Sequence, residues 1–352
     1  MKNPLPAATT AAILISALVS IPAIAAPGTP EYHVTKSIAL GAPERWDYLT
    51  FDPATHRVYV AHGDRVTVVD GHDGQVLGEV TGFPGGTHGI GIVGSLGRGY
   101  TDDGEAGEVG SFDLKTHKVG KRIKAMVDAD GIVVDSPSGH VFVINGDSGT
   151  LTVIDPKTDS AVATVVAGTP LEFGVSGENG KLYIDAVDKH EIVRVDTRSN
   201  LVDAHWPMPG CTTPRGLAID RAMHRLFASC GNKVLTVIDA ESGEVVATLP
   251  IGAGTDAAAF DPKRRLAFSS NGQDGTVSVI QEQDAHTFVA LGSVPTAPLA
   301  RTMSIDPDTG RLFLVSAEID TSVPPDPPNS PGPHRRHIVP GSVKLLFLDP
   351  VK

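Results

Sequence analysis

Short strands rich in β-branched residues end in, or close to, an aspartate at nearly regular intervals along this chain of 352 residues. The seven segments are Val66–Asp70, Val109–Asp113, Leu151–Asp155, Ile192–Asp196, Leu235–Asp239, Val277–Gln281 and Val343–Asp349. Successive segments end 41 to 43 residues apart, except that the last step is 68 residues. A repeat of about 40–50 residues built from strands is typical of a β-propeller. The repeat therefore predicts one closed ring in place of the two or three domains that length alone suggests.

One repeat, residues 130–166, shows the pattern most clearly. Its four apolar segments are Asp130-Gly-Ile-Val-Val-Asp, His140-Val-Phe-Val-Ile-Asn, Leu151-Thr-Val-Ile-Asp and Ala161-Val-Ala-Thr-Val-Val, and turn residues separate them. Alternation and turn chemistry of this kind predict four antiparallel strands, here called a to d, which form one blade. Turns such as Asp52-Pro53 and Asp261-Pro262 join strands a and b, and their aspartates are expected to cap the turn and not to catalyse.

The two ends of the chain carry complementary parts of a blade. Residues 34–40 read as a strand d with no strands a to c before them, and the final repeat supplies strands a to c and ends at Asp349. The sequence therefore predicts an all-β, seven-bladed propeller of four-stranded antiparallel blades, closed by the N-terminal strand completing the last blade. The longer last step places a proline-rich insertion at residues 319–341, which is expected to form an extended loop.

The N-terminus has the pattern of a secretory signal peptide. Lys2 precedes an apolar stretch from about Ala11 to Ile21, and the small-residue pattern Ala23-Ile24-Ala25 follows. We expect a signal peptide over residues 1–26, cleaved near Ala25 or Ala26, and a single propeller domain over residues 27–352. The apolar stretch is too short for a transmembrane anchor, so the chain is expected to be periplasmic or secreted.

The cysteine count and the net charge restrict the possible kinds of protein and partner further. Cys211 and Cys230 are the two cysteines, and an even count in an exported chain predicts a disulfide between them. The formal net charge of −12 argues against general nucleic-acid binding, which normally needs a basic face. We expect a monomer whose partner, a small molecule or a protein, binds at one face of the ring.

Aligning the seven strand-a segments brings one ionisable residue per blade to the same position. In chain order these are Asp47, His88, Asp130, Glu172, Arg215, Asp256 and Arg301. They are expected to converge on the mouth of the central channel, at the face formed by the d–a and b–c loops. The b–c loops are expected to add a second polar shell, made of His62, Asn145, Asp185, Asn232 and Asn271.

Three interpretations of this ring stay open. His88, Asp130, Glu172 and Asp256 supply one imidazole and three carboxylates, a set suited to a divalent metal. Arg215 and Arg301 would repel a cation and attract a carboxylate or phosphate, which favours an anionic or zwitterionic ligand. A structural ring, in which Asp–Arg pairs tie neighbouring blades together, is the third interpretation.

The repeats resemble the YVTN-repeat seven-bladed propellers, specifically the YncE-like exported bacterial proteins. The matching segments include Trp46-Asp-Tyr-Leu, Pro170-Leu-Glu-Phe, Gly216-Leu-Ala-Ile-Asp, Phe227-Ala-Ser-Cys-Gly-Asn, Asp256-Ala-Ala-Ala-Phe-Asp and Ala300-Arg-Thr-Met. The resemblance implies the propeller fold and carries no agreed catalytic residue. The wider propeller group that the chain resembles includes lactonases, heavy chains of quinone-cofactor amine dehydrogenases and binding scaffolds, among which fold alone does not choose.

The sequence favours a non-catalytic exported propeller that binds a small ligand, a metal or a partner protein at the channel mouth. One alternative is a metal-dependent hydrolase of lactonase type, in which the metal set activates water. Another is a scaffold subunit for a periplasmic redox partner. Familiar enzyme signatures, such as Gly-x-Ser-x-Gly, His-Glu-x-x-His and the phosphate-binding loop, are absent from the sequence, and no cofactor is identified by the residues beyond the candidate divalent metal.

Overall fold

Seven four-stranded antiparallel sheets form a closed ring of blades in this computed structural model, which describes residues 30–323 and 336–351. The predicted signal peptide lies outside the described residues. Strand a of each blade lines the central channel and strand d lies at the rim. The seven-bladed, all-β prediction is confirmed.

The strands of blades one to four follow chain order. Blade one contains β2 (Leu49–Asp52), β3 (Arg57–His62), β4 (Arg65–Asp70) and β5 (Val76–Thr81). Blade two contains β6 (Ile90–Val93), a 3-10 turn (Gly94–Leu96), β7 (Arg98–Asp103), β8 (Glu108–Asp113) and β9 (Val119–Lys124). Blade three contains β10 (Ala129–Asp135), β11 (His140–Asn145), β12 (Thr150–Asp155) and β13 (Ser160–Val166). Blade four contains β14 (Leu171–Ser176), β15 (Lys181–Ala186), β16 (Glu191–Asp196) and β17 (Leu201–Pro207).

The remaining blades repeat the order, and the last one is shared between the two chain ends. Blade five contains β18 (Pro214–Asp220), β19 (Arg225–Cys230), β20 (Val234–Asp239) and β21 (Val245–Pro250). Blade six contains β22 (Ala258–Asp261), β23 (Leu266–Asn271), β24 (Thr276–Glu282) and β25 (Phe288–Pro295). Blade seven contains β26 (Met303–Ile305), β27 (Leu312–Ser316), β28 (Lys344–Pro350) and, from the N-terminal side, β1 (Tyr32–Ala39).

Strand β1 closes the ring by pairing with β28 from Tyr32 opposite Pro350 to Ala39 opposite Lys344. The buried Tyr32 ring packs edge-on against Phe268 of blade six, with the ring centroids 5.6 Å apart. Blade seven is therefore complete only when both chain ends are present. Closure of this kind covers the outer edge of β28, which would otherwise be unpaired.

Apolar clusters between neighbouring blades form the core. The stacked rings of Phe227 in blade five and Phe260 in blade six have centroids 5.2 Å apart, and both residues are buried. The innermost strands approach so closely that a Cβ atom on Gly216 would lie 2.5 Å from the carbonyl carbon of Ala257. Glycine at position 216 therefore lets blade five pack directly on the backbone of blade six.

The aspartates that define the repeat act in turns, as predicted. Asp52 accepts hydrogen bonds from the Ala54 amide at 3.1 Å and from the Thr55 hydroxyl at 2.6 Å. At the end of a strand c, Asp155 accepts from the Lys157 amide at 2.9 Å. Side chains that satisfy turn amides in this way stabilise the turn and leave little capacity for chemistry.

Two further sequence predictions concern loops. Cys211 and Cys230 form a disulfide, which joins the loop before β18 to the end of β19 and confirms the predicted pair. The stem of the proline-rich insertion is paired, because the Asp320 amide donates to the His337 carbonyl at 2.8 Å and the Val339 amide to the Glu318 carbonyl at 2.8 Å. Residues 324–335, the centre of the insertion, lie outside the described residues. Within the described ranges, no helix has the length and apolar character needed to cross a membrane.

Candidate functional site

The seven ionisable residues of the alignment lie within two residues of the start of the innermost strands. Asp130, Glu172 and Arg215 are the second residues of β10, β14 and β18, and each of the other four lies two residues before the start of the equivalent strand. All seven are partly buried. We call this layer, at the face of the d–a and b–c loops, the channel mouth.

His88 is held by residues that the alignment did not include. Its Nδ1 lies 2.6 Å from the Asp102 carboxylate, and its Nε2 lies 3.0 Å from the Arg45 guanidinium. Since a guanidinium only donates, Nε2 accepts this bond and Nδ1 carries the proton toward Asp102. Burial lowers the pKa of His88, but the Asp102 hydrogen bond and charge outweigh it and hold the pKa above the usual 6.5. Burial also raises the pKa of Asp102 to about 6.

Both arginines of the channel mouth pair with a carboxylate from the preceding blade. Arg215 Nη1 lies 3.3 Å from Glu172, and Arg301 Nη1 lies 2.7 Å from Asp256. Arg301 also donates to the Trp46 carbonyl at 3.3 Å, and so links blade seven to blades six and one. The two guanidinium side chains remain 41% and 42% exposed, respectively, so each keeps a solvent-facing part.

The channel mouth holds more carboxyl groups than guanidinium groups, and its carboxyl groups repel one another. Burial, followed by the charges of Asp47 and Glu172, raises the pKa of Asp130 well above its usual value. Burial raises the pKa of Glu172 to about 7 against the opposing effect of Arg215, with further raising by Asp256 and Asp47. Burial likewise raises the pKa of Asp256 despite Arg301. The layer therefore holds protons near neutral pH that a bound cation could replace.

An aromatic pair forms the floor of the channel mouth. The rings of Tyr48 and Phe173, which follow Asp47 and Glu172 directly in sequence, have centroids 5.1 Å apart. Burial and the four surrounding carboxyl groups raise the pKa of the Tyr48 hydroxyl well above 10, so it stays protonated. This pair was not predicted from the sequence. A signal was present, since the position after the ring residues is occupied by Tyr48, Gly89, Gly131, Phe173, Gly216, Ala257 and Thr302, two large side chains among small ones.

The predicted second polar shell lies mainly on strands and not in loops. His62, Asn145, Asp185 and Asn271 are fully buried residues at the ends of strands b, and Asn232 is in an exposed turn. Asn145 donates from Nδ2 to Thr150 and Thr152 and accepts from the Met126 amide, so it bonds a neighbouring strand and loop. Asp185 differs, because neither carboxyl oxygen has a hydrogen-bond partner among the described residues. Burial, with a contribution from Glu172, raises the pKa of Asp185 well above its usual value.

The arrangement gives the metal hypothesis no support. Within residues 30–323 and 336–351, no three His, Cys, Asp or Glu side chains are grouped to hold a metal ion. Both nitrogens of the His88 ring are engaged, so coordination would first have to displace Arg45 or Asp102. Glu172 and Asp256 each face a guanidinium, which repels a cation placed between them.

Fold and channel mouth together define a seven-bladed propeller with a carboxyl-rich channel entrance. No family model matches the chain. The chain is similar to the protein named "Uncharacterized protein YncE" of Salmonella typhimurium and to the protein of the same name from Salmonella typhi, at 26% identity over 227 residues in each case. Each match covers 61% of this chain and 62% of the length of the relative. The predicted resemblance to YncE-like propellers is confirmed.

A solved structure shows the same fold. A chain of Kuenenia stuttgartiensis hydrazine synthase superposes with a TM-score of 0.65 at 16% identity, over 76% of this chain and 91% of that one. At this identity the likeness concerns the propeller architecture alone.

Proposed function

We propose that this chain is a binding propeller that holds a small organic molecule carrying an ammonium group at the channel mouth. The observation that carries the proposal is the excess of carboxyl groups over guanidinium groups in one layer, where the carboxyl groups raise one another's pKa. An ammonium ion relieves this repulsion, because it replaces the protons that the carboxyl groups hold near neutral pH.

The floor of the channel mouth supports the same ligand chemistry. The faces of Tyr48 and Phe173 provide π-electron density beside the carboxyl groups, and an alkylammonium is attracted by both. Asp47 and Asp130 are the residues proposed to contact the ammonium group, since Glu172 and Asp256 already face Arg215 and Arg301.

The exposed parts of the two guanidinium groups are available to contact a carboxylate on the same ligand. Arg215 and Arg301 lie on blades five and seven, away from Asp130 on blade three. A zwitterion could therefore place its ammonium group by Asp47 and Asp130 and its carboxylate by the arginines. Binding of the carboxylate would compete with the Glu172 and Asp256 pairs, so the ammonium group is proposed as the required element.

Calorimetric titration with three ligands of one carbon skeleton tests the proposal. We expect n-butylamine and 4-aminobutyrate to bind and butyrate not to bind. The variant Asp130→Asn should bind n-butylamine at least tenfold more weakly, while Asp147→Asn, an exposed aspartate of the same blade, serves as the matched control. Equal affinity for butyrate and n-butylamine, or an unchanged affinity of Asp130→Asn, would overturn the proposal.

Substitution of the two arginines distinguishes a zwitterionic ligand from a plain amine. If the ligand is zwitterionic, Arg215→Ala together with Arg301→Ala should weaken binding of 4-aminobutyrate and strengthen binding of n-butylamine. If the ligand is a plain amine, both affinities should rise, because the freed Glu172 and Asp256 carboxyl groups add negative charge.

We also propose export of the chain. The disulfide supports it, since such bonds persist mainly in oxidising compartments. Cleavage of a signal peptide near Ala25 or Ala26 stays a prediction, which N-terminal sequencing of the mature protein from its native host tests.

A further inference from the structure

A cavity of about 1000 Å³ occupies the central channel on the other side of the Tyr48–Phe173 floor. It runs along the innermost strands to the a–b turns, where Pro53, Pro262 and Pro307 surround its opening. None of the seven residues of the channel mouth lines it. The cavity therefore opens on the opposite face of the propeller and is separate from the ligand site proposed above.

The cavity is deepest on the side of blades one to four. Gly89, Gly91, Gly131 and Gly174 line the cavity there. A Cβ atom on Gly89, Gly91 or Gly174 would lie 2.2, 2.6 or 2.9 Å, respectively, from an atom of blade three, so these glycines let the blades pack closely around the channel. At the level of Phe51, all seven blades contribute to the wall. From Tyr48 to Pro53 the channel is roughly 17 Å long, at about 3.3 Å per strand residue.

The wall of the cavity is mainly apolar. Ile132, Val133, Val175, Ile219 and Ile305 all line it and are only partly buried, although they lie near the axis of the propeller. Apolar surface around a narrow space gives water few hydrogen-bond partners, so replacement of that water by an apolar ligand is favourable. The volume is at the upper end of the range of about 300–1,000 Å³ found for small-molecule sites.

Charged side chains that line the cavity are confined to its opening. They are Asp52, Glu178, Asp220 and Arg221, three acids and one base. Asp52 and Asp220 cap their turns by accepting backbone amides, and Arg221 donates to the Ser176 carbonyl at 2.9 Å. The excess of acids disfavours an anionic head group, and no carboxyl group lines the deeper wall where a cation would need a partner.

We infer that the channel is a second binding site, for an uncharged and mainly apolar small molecule that enters between the a–b turns. The molecule would lie against the strand-a side chains, with one end toward the Tyr48–Phe173 floor. The carboxyl-rich mouth and the apolar channel would then bind different ligands from the two faces of one ring.

Fluorescence of the neutral probe N-phenyl-1-naphthylamine tests the inference on the full chain. We expect the probe to bind, 1-decanol to displace it, and decanoate to displace it at least tenfold less effectively. Val133→Phe and Ile305→Phe, which fill the cavity from different blades, should each weaken probe binding at least tenfold. Val166→Phe is the matched control, since Val166 is 70% exposed on the last strand of blade three.

Two outcomes of the probe experiment would overturn the inference. One is absence of probe binding to the unmodified chain, and the other is unchanged binding by folded Val133→Phe and Ile305→Phe, with thermal melting used to check folding. Xenon-pressurised crystals of the unmodified chain provide a test without any substitution. Xenon density is expected between Val175 and Ile219, and density confined to other parts of the molecule would equally contradict the inference.

Discussion

The ring centroids of Tyr48 and Phe173 lie 5.1 Å apart, with 39° between the ring planes, so this pair connects blade one to blade four across the channel. Above it lie the carboxyl groups that raise the pKa of the Tyr48 hydroxyl, and below it begins the apolar cavity. The pair therefore separates two environments of opposite polarity inside one ring.

Phe173→Ala should lower the free energy of unfolding by about 2 kcal/mol. A fully buried phenylalanine costs about 3–5 kcal/mol on truncation to alanine, and Phe173 is only partly buried. Urea unfolding measures the change. Tyr48→Phe is the control, since it keeps the ring and removes only the hydroxyl. An equal loss in Tyr48→Phe would show that the hydroxyl, and not the ring pair, stabilises this layer.

Local chemistry explains why the fold was predictable from the sequence. Strand alternation, and turn aspartates such as Asp52 and Asp155, act within a few residues and recur in every blade, so alignment of the repeats exposes them. Closure by β1 followed from the missing strands at the two chain ends.

The channel mouth was predictable only in part, because its geometry depends on side chains from different strands and blades. Alignment found His88 but not Asp102, which lies 14 residues away on β7 and fixes the imidazole. Acid–arginine pairs between neighbouring blades were one open interpretation of the sequence, but the alignment did not identify Glu172 and Asp256 as the partners of Arg215 and Arg301. The layer of Tyr48 and Phe173 was visible in the aligned sequence, but its role follows from the contact between the rings.

The Glu172 carboxyl group should make stability fall as the pH rises toward neutrality. Its pKa is about 7 in the folded chain against an ordinary value of 4.5, so between these values the folded state binds more protons than the unfolded state. The free energy of unfolding should therefore decrease between about pH 4.5 and pH 7, by roughly 2–3 kcal/mol from this group. Glu172→Gln should reduce that slope in urea unfolding measured across the range.

A second carboxyl group, that of Glu282, limits how far Glu172→Gln can reduce the pH dependence of the free energy of unfolding. Burial, together with Asp220, also raises the pKa of Glu282 to about 7, so Glu172→Gln removes only its own share. Glu105→Gln, at an exposed position, should leave the slope as it is. If the slope of Glu172→Gln equals that of the unmodified chain, Glu172 is ionised throughout this range and the repulsion among the carboxyl groups is weaker than described.

The disulfide between Cys211 and Cys230 should contribute about 3 kcal/mol to stability. The two cysteines are 19 residues apart, and closing a loop of this length restricts the unfolded chain by about that amount in the chain-entropy model. Thermal melting of the Cys211→Ser, Cys230→Ser double variant measures the loss. Ligand binding at the channel mouth should change little, because Asn232 accepts from the Thr212 amide and donates to the Gly210 carbonyl, which keeps the loop before Arg215 in place.

A variant lacking both the disulfide and the Asn232 amide tests whether the Asn232 hydrogen bonds keep the loop before Arg215 in place. Adding Asn232→Ala to the double cysteine variant should weaken binding of n-butylamine several-fold more than either change alone. If the double cysteine variant already loses binding, the disulfide positions the loop and the Asn232 hydrogen bonds do not suffice.

Asp185→Val should stabilise the chain, which is the opposite of what most core substitutions do. The Asp185 carboxyl group is fully buried, and neither oxygen has a hydrogen-bond partner among the described residues, so its burial opposes folding. Valine is tolerated at the matching position of blade seven, where Val315 is the second-to-last residue of β27, as Asp185 is of β15. We expect the free energy of unfolding to increase by about 1–2 kcal/mol at pH 7.

The pH dependence of the stability change in Asp185→Val distinguishes an unpaired Asp185 carboxyl group from one that is hydrogen-bonded to an ordered water. Because the folded-state pKa of Asp185 is raised, its unfavourable contribution grows as the pH rises, so the gain from Asp185→Val should be larger at pH 8 than at pH 5. Asp185→Asn, which keeps the shape and leaves an amide in the same place, should give a smaller gain. A loss of more than about 1 kcal/mol in Asp185→Val would instead show that an ordered water satisfies the carboxyl group, because removing one partner of such a bond leaves the other unsatisfied.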